Sequence, residues 1–244
     1  MSKKRLDLLL QEQFAQHTRR YIQSLIMQGK AQVEGRIVTK PGMIIPEDAQ
    51  LTLQAEEQKF VGRAGFKLEK ALDHFAVDVA GLVIMDAGIS TGGFTDCMLQ
   101  RGARKVYGID VGYGQVHEKV GNDERVVVIE RTNLRNMTDL GEKVDLITLD
   151  LSFISLLKVM DAVCSILKPD GQLITLIKPQ FEVRKEDVGR GGIIKDPKMH
   201  AHVIQLVTQG IARYGFVAIG VTESPIEGTT GNKEFLAYFK RTSA

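Results

Sequence analysis

The chain has 244 residues, 43% of them hydrophobic and 25% charged, a balance that excludes a disordered or fibrous chain and allows one α/β domain with a small appendage. Its net charge of +2 is unevenly spread: residues 1–55 hold eight Lys or Arg against five Asp or Glu, which suits phosphate contact or, alternatively, a merely solvated face. Two cysteines, Cys97 and Cys164, exclude a disulfide framework or a cysteine metal centre, and the absence of any apolar run near 18 residues or of a signal-peptide core leads us to expect no membrane partner and a cytoplasmic location.

Residues 5–14 place Leu6, Leu9, Leu10 and Phe14 on one helical face. A second helix is predicted from its N-cap Thr18 to Gln28, with Tyr21, Ile22, Leu25 and Ile26 on its apolar face and Gly29 as its stop. The period then changes: AQVEGRIV, with a turn at Glu34-Gly35, and GMIIPEDAQLTLQ read as short strands. We expect a small α+β domain over residues 1–55 and a linker over 56–60, where AEEQKF lacks apolar periodicity. Residues 61–244 form the second predicted domain. Strands near 83–87, 105–110, 126–130, 145–150 and 172–178 alternate with helical or loop stretches, which predicts a doubly wound, mostly parallel sheet of the Rossmann-like α/β class. Two late runs, FVAIGVTES and KEFLAYFKR, have no helix between them. They should pair antiparallel at an edge and bring the sheet to seven strands.

Five strand ends carry candidate chemistry. Met85 to Thr95 follow an apolar strand and open a helix, and Gly88, Gly92 and Gly93 with Ser90 and Thr91 allow the backbone a close approach to a ligand. The spacing is not that of a dinucleotide fingerprint, and the acidic Asp86 suits a cationic group such as the methionine end of S-adenosyl-L-methionine. Asp110 ends the next strand, seventeen residues after Gly93, where it can accept from both hydroxyls of an adenosine ribose or, alternatively, form the turn before Gly112. Glu130 to Asn133 would lie near the adenine. Asp150 and Lys178 end the fourth and fifth strands and should face the same crevice. A lysine closing the apolar run LITLI is costly without a task or a partner.

Three resemblances follow from the sequence. The run Arg5, Asp7, Leu8, Leu9, Thr18, Arg19, Arg20, Ile26, Gly29, Lys30, Val33, Glu34 and Gly35 resembles the RNA-binding fold of small-subunit ribosomal protein four. That resemblance implies RNA-phosphate contacts from Thr18, Arg19 and Arg20, extended by Lys3, Lys4, Arg5 and Lys30. Lys67, Asp150, Lys178 and Glu234 resemble the catalytic tetrad of the FtsJ-like ribose 2′-O-methyltransferases. The motifs G-R-A-G-F-K-L, D-A-G-I-S-T-G-G-F-T-D, D-L-S-F-I-S-L, K-P-Q-F-E and G-N-K-E-F together make the whole chain similar to the TlyA or hemolysin A family. The resemblance implies a class I methyltransferase that uses S-adenosyl-L-methionine, with Asp150 serving both cofactor and catalysis, no metal, and a cytidine ribose in ribosomal RNA or ribosomal subunits as target. The linker departs from the family in reading A-E-E-Q-K.

A ribose hydroxyl is a weak nucleophile and needs a base or a polarising partner. Lys178 is the expected one, with Lys67 favouring its neutral amine and Asp150 and Glu234 opposing that. The segment from Arg184 to Asp196 either closes over RNA or is a plain surface loop. Other readings are a base-modifying methyltransferase, since D-L-S-F loosely matches a D-P-P-[FY] motif, a membrane-active hemolysin, and an assembly factor that binds RNA without activity. The first has no evident need for Lys178, Lys67 and Glu234, and the second lacks a spare amphipathic segment. An intact tetrad weighs against the third.

Overall fold

The computed structural model describes residues 2–15, 17–55, 59–228 and 230–242, apart from the side chains of residues 185 and 190. The chain divides into two compact units, Met1–Gln58 and Lys59–Ala244.

The first unit contains β1 (Lys3–Arg5), α1 (Leu6–Gln13), α2 (Arg19–Met27), β2 (Ala31–Val33), β3 (Arg36–Val38), β4 (Ile44–Pro46) and β5 (Leu51–Leu53). The two helices bury Leu6, Leu10, Ile22 and Ile26 against Ala31 and Ile45. The i, i+4 spacing of each leucine and isoleucine pair puts them on one face, which is why the helices pack there. Thr18 caps α2, its hydroxyl accepting the Tyr21 N–H at 3.3 Å. The strands form an antiparallel sheet in the order β3-β2-β5, and β1 pairs antiparallel with β4.

The second unit opens with α3 (Ala64–His74), β6 (Val83–Ala87), α4 (Gly93–Gln100), β7 (Lys105–Ile109), α5 (Glu118–Gly121) and β8 (Val126–Ile129). It continues through β9 (Val144–Leu149), α6 (Met160–Ile166), β10 (Leu167–Ile177), α7 (Pro179–Glu182), α8 (Pro197–Ala212), β11 (Phe216–Glu223) and β12 (Phe235–Arg241). The seven strands run in the order β11-β12-β10-β9-β6-β7-β8. All neighbours are parallel except β12, which is antiparallel to both β10 and β11. One refinement of the expected ending is needed: β12, the later strand, enters between β10 and β11. Residues 235–239 are all buried, as a strand covered on both faces must be, whereas β11 exposes Val217 and Ile219 as an edge strand can.

One apolar layer packs α3 and α4 on the sheet through Leu68, Leu72, Ile84, Met98 and Val106. The other packs α6 and α8 on the opposite face through Met85, Ile147, Val163, Val203 and Val207. Of the predicted linker, residues 56–58 lie outside the described residues. Phe60 is buried in the α3/α4 layer, so its side chain belongs to a core rather than to a solvated connector. Because β6 lies between β7 and β9, the chain reverses its direction of winding there, and the crevice at the carboxyl ends of β6 and β9 is the place such sheets reserve for ligands.

Candidate active site

The loop after β6 and the end of β9 meet closely at that crevice. Gly88 has φ +89°, and a Cβ there would stand 2.5 Å from the Asp150 carbonyl oxygen. The Asp150 N–H in turn donates to the Ala87 carbonyl at 3.0 Å. A side chain at Gly88 would therefore push apart the two strand ends that form the site. Gly93 serves a different contact: its Cβ would sit 2.9 Å from the Gly65 nitrogen and 3.0 Å from the Gly62 carbonyl oxygen, so its absence lets α4 pack on the chain entering α3.

Two cavities open at the crevice. The smaller, about 580 Å³, is lined by Ala87, Gly88, Ser90, Ile109, Asp110 and Asn133 among others. The larger, about 1320 Å³, is lined by Lys67, Asp150, Lys178 and Glu234. Gly88, Ser90, Asp150, Ser152 and Phe153 belong to both walls, so the two spaces adjoin along the Asp150 to Phe153 segment.

The four tetrad positions come together on that larger cavity as two ion pairs. Lys67, near the start of α3, pairs with Glu234, which immediately precedes β12, and both are buried. Lys178, at the end of β10, lies 2.6 Å from Asp150 Oδ1 and donates to the Ser152 hydroxyl at 3.0 Å. Ser152 is a site residue the sequence reading did not single out, although its place in D-L-S-F beside Asp150 carried the signal. Asn232 is another. Its Oδ1 accepts the Ile194 N–H at 2.9 Å, while its Nδ2 donates to the Gly192 carbonyl at 2.8 Å and to the Thr230 hydroxyl at 3.0 Å. The buried His200 ring contacts the Ile194 carbonyl at 3.0 Å. These contacts tie the glycine-rich segment to the turn that carries Glu234, and Arg184, Val188 and Gly192 from that segment line the large cavity.

Three of the residues expected at the cofactor lie off the two cavities. Asp86 lines neither cavity. It is fully buried, with Oδ2 accepting the Thr95 hydroxyl at 2.6 Å and Oδ1 accepting the Thr148 hydroxyl at 2.9 Å. Strand alternation explains this: Met85 and Ala87 face the α6/α8 layer, so Asp86 faces α4 with Ile84. Gly92 and Gly93 also line neither cavity, because both are buried where α4 begins, against Val120 and the entry to α3 respectively. By contrast Gly88, Ser90, Thr91, Asp110 and Asp150 do line the cavities.

Asp110 uses its carboxylate locally as well, accepting the Ser90 N–H at 2.9 Å and the Gly112 N–H at 2.7 Å. These contacts are those of the turn reading of Asp110. Each oxygen takes one backbone donor and retains acceptor capacity toward the smaller cavity. Phe153 has φ +64°, is 91% exposed, and lies 5.1 Å from the Phe181 ring, which presents an aromatic face at the mouth of the tetrad cavity. Among the described residues, no group of three or more His, Cys, Asp or Glu side chains is arranged to hold a metal ion, and no helix is long and apolar enough to cross a membrane.

In the first unit the basic positions are organised around one buried carboxylate. Asp7 accepts from Arg5 at 2.9 and 3.0 Å, from Arg19 at 3.0 and 3.1 Å and from Gln23 at 2.6 Å. The two guanidinium groups beside it, Arg5 first, hold its carboxyl well below the usual range. Arg5 and Arg19 remain about half exposed, fixed in orientation, and with Asp7 they leave a single net positive charge. Lys4 is paired with Glu12. Lys3 and Arg20 are exposed, and Lys30 is half-buried.

Comparisons with known proteins agree with this two-part architecture. Residues 60–241 match the family model described as FtsJ-like methyltransferase, and residues 4–51 match the S4 domain. The chain is 43% identical over 239 residues to YqxC of Bacillus subtilis, provisionally described as an rRNA methyltransferase, covering 97% of this chain and 85% of that protein. It is 40% identical over 239 residues to the 16S/23S rRNA (cytidine-2'-O)-methyltransferase TlyA of Mycobacterium tuberculosis, covering 97% and 89%. A solved structure from Streptococcus thermophilus, provisionally described as a hemolysin, superposes with a TM-score of 0.77 at 38% identity, covering 100% of this chain and 90% of that one.

Burial pushes the Asp86 carboxyl up to about 6 from an ordinary 3.8, against the opposing hydroxyl hydrogen bonds. The folded chain therefore holds this proton more tightly than the unfolded one. The stability it contributes is complete below about pH 4 and lost as pH rises through about 6. In urea denaturation, the wild type should lose up to about 3 kcal/mol relative to Asp86→Asn over that interval. Parallel pH profiles would show that Asp86 ionises freely in the fold.

Proposed function

We infer function from kinship: the chain belongs to the FtsJ-like methyltransferase family, and we propose that it methylates the ribose 2′-hydroxyl of a cytidine in ribosomal RNA, in the cytoplasm where ribosomal subunits are found. The observation that carries the reading is the convergence of Lys67, Asp150, Lys178 and Glu234 on one cavity that adjoins a second, nucleoside-sized one.

The smaller cavity fits S-adenosyl-L-methionine. Asp110 offers acceptors for a ribose diol, Ile109 and Leu134 are apolar walls for an adenine, and the shared wall at Gly88 and Asp150 leads toward the tetrad. When bound, this group supplies an electrophilic methyl on a sulfonium and leaves as a neutral thioether. Asp150 and Ser152 take two of the three hydrogens of the Lys178 ammonium, and the third is available to a ribose oxygen. Held so, Lys178 orients the hydroxyl and stabilises the negative charge that grows on its oxygen as the carbon–oxygen bond forms. The Lys178 ammonium has no lone pair to receive the hydroxyl proton, so that proton passes to the Asp150 carboxylate held beside it. Lys67 and Glu234 hold another part of the same wall, and the exposed Phe153 ring offers a stacking surface for a base turned out of its helix. Much of the rate comes from this positioning, since displacement at the methyl carbon must be in line.

Mass mapping of modified nucleotides in rRNA from cells with and without the protein tests the reading: one or more 2′-O-methylcytidines should disappear with it. Lys178→Ala should lower methyl transfer by at least about a hundredfold while leaving S-adenosyl-L-methionine affinity within a few fold, as read by calorimetry. Retained transfer would remove Lys178 from the chemistry.

The first unit, with its S4 domain match, supplies RNA affinity. Because Arg19 is tied to Asp7, the clean test uses exposed residues outside that cluster. Lys3→Glu combined with Arg20→Glu should weaken binding to ribosomal RNA and flatten its dependence on salt. Unchanged affinity at low salt would assign RNA capture elsewhere.

A further inference from the structure

Among the described residues, three side-chain oxygens are buried without a hydrogen-bond partner: Thr175 Oγ1, Gln180 Oε1 and Glu182 Oε2. Thr175 belongs to β10 within the sheet. The other two belong to the single turn of α7 that follows Lys178, and both residues line the tetrad cavity. Native proteins seldom leave buried acceptors unpaired, and these two lie just beneath the wall of a substrate cavity, where a donor from outside the chain meets them once the wall shifts to admit it.

Glu182 is not free to turn away. Its Oε1 accepts the Leu156 N–H at 2.9 Å, and the Ser155 hydroxyl also bonds this carboxyl. One oxygen thus anchors the segment that carries Ser152 and Phe153, and the other has no partner. The four residues of α7 rise about 6 Å, comparable to the reach from a ribose 2′-hydroxyl to the far edge of its pyrimidine. A nucleotide with its ribose at Lys178 and its base beside Phe153 and Phe181 would present that edge to Gln180 and Glu182.

We propose that Gln180 and Glu182 read the exocyclic amine of the target base, making the enzyme selective for cytosine over uracil. The inference rests on the 2′-O-methylation reading above and adds the residues that choose the base. Burial pushes the Glu182 carboxyl up from its ordinary value, and in its ionised form it only accepts, so it then suits the cytosine N4 hydrogens and repels the carbonyl oxygen that uracil carries at the same place. Gln180 adds a second acceptor, but its amide can rotate to present either group. Discrimination therefore falls to Glu182.

The test uses ribosomal subunits with cytidine or uridine at the mapped target position, and measures labelled methyl transfer by wild type, Glu182→Gln and Glu182→Ala. Wild type should be slower on uridine by about tenfold or more. Glu182→Gln keeps an acceptor for the Leu156 N–H yet can also donate to a uracil oxygen, so it should bring the two rates within about threefold. Glu182→Ala, which loses the anchor too, should slow both. Equal wild-type rates on the two substrates would overturn the proposal and leave the methyltransferase reading standing. So would a Glu182→Gln variant that lowers both rates without changing their ratio, since that is the signature of a purely structural Glu182. Absence of transfer to either substrate by wild type would instead overturn the methyltransferase reading, and the base reader with it.

Discussion

A lysine ammonium cannot be withdrawn from water without a compensating charge, and this protein withdraws two of them at the same cavity. Lys67 is compensated by Glu234 and Lys178 by Asp150. Breaking either pair would leave a buried charge alone, at a cost of about 3–5 kcal/mol, so four segments distant in the chain must arrive together: the start of α3, the ends of β9 and β10, and the approach to β12. The sheet order achieves this by setting β12 against β10 and β10 against β9. Fold and site thus share one requirement, that β12 return between β11 and β10.

The remaining features support that convergence at successive distances. Gly88 lets the ends of β6 and β9 touch, which brings the smaller cavity up to the Asp150 to Phe153 segment. Glu182 anchors that segment from α7, and Asn232 anchors the glycine-rich segment to the turn before Glu234. Each link joins a residue of the tetrad, or one within four positions of it, to a segment that lines the cavity. Preorganisation of this kind lets charged groups act on a developing oxyanion without first rearranging.

Much of this was legible in the sequence because the strands are uninterrupted apolar runs whose final residues are polar. LITLI ending in Lys178 and LITL ending in Asp150 mark both strand ends and site residues at once. The packing of Asp86 off the cavities was not legible, for the complementary reason: a strand end marks a position along the chain, while the face a side chain takes follows from alternation against layers that only the packed structure defines. The same limit hid Glu182 and Asn232, whose partners Leu156, Ile194 and Gly192 are far away in number and are backbone groups. Arg5 and Arg19 were legible as basic, but their shared restraint by Asp7 depends on how α1 and α2 pack.

The central claim is that Lys67 and Glu234 act as one unit in building the catalytic wall. A double-mutant cycle on single-turnover methyl transfer, with Lys67→Ala, Glu234→Ala and both together, measures this directly. The account predicts that the double variant is about as slow as the worse single one, because either change already dissolves the pair. Rate losses that multiply in the double variant would show the two residues working independently and would contradict it.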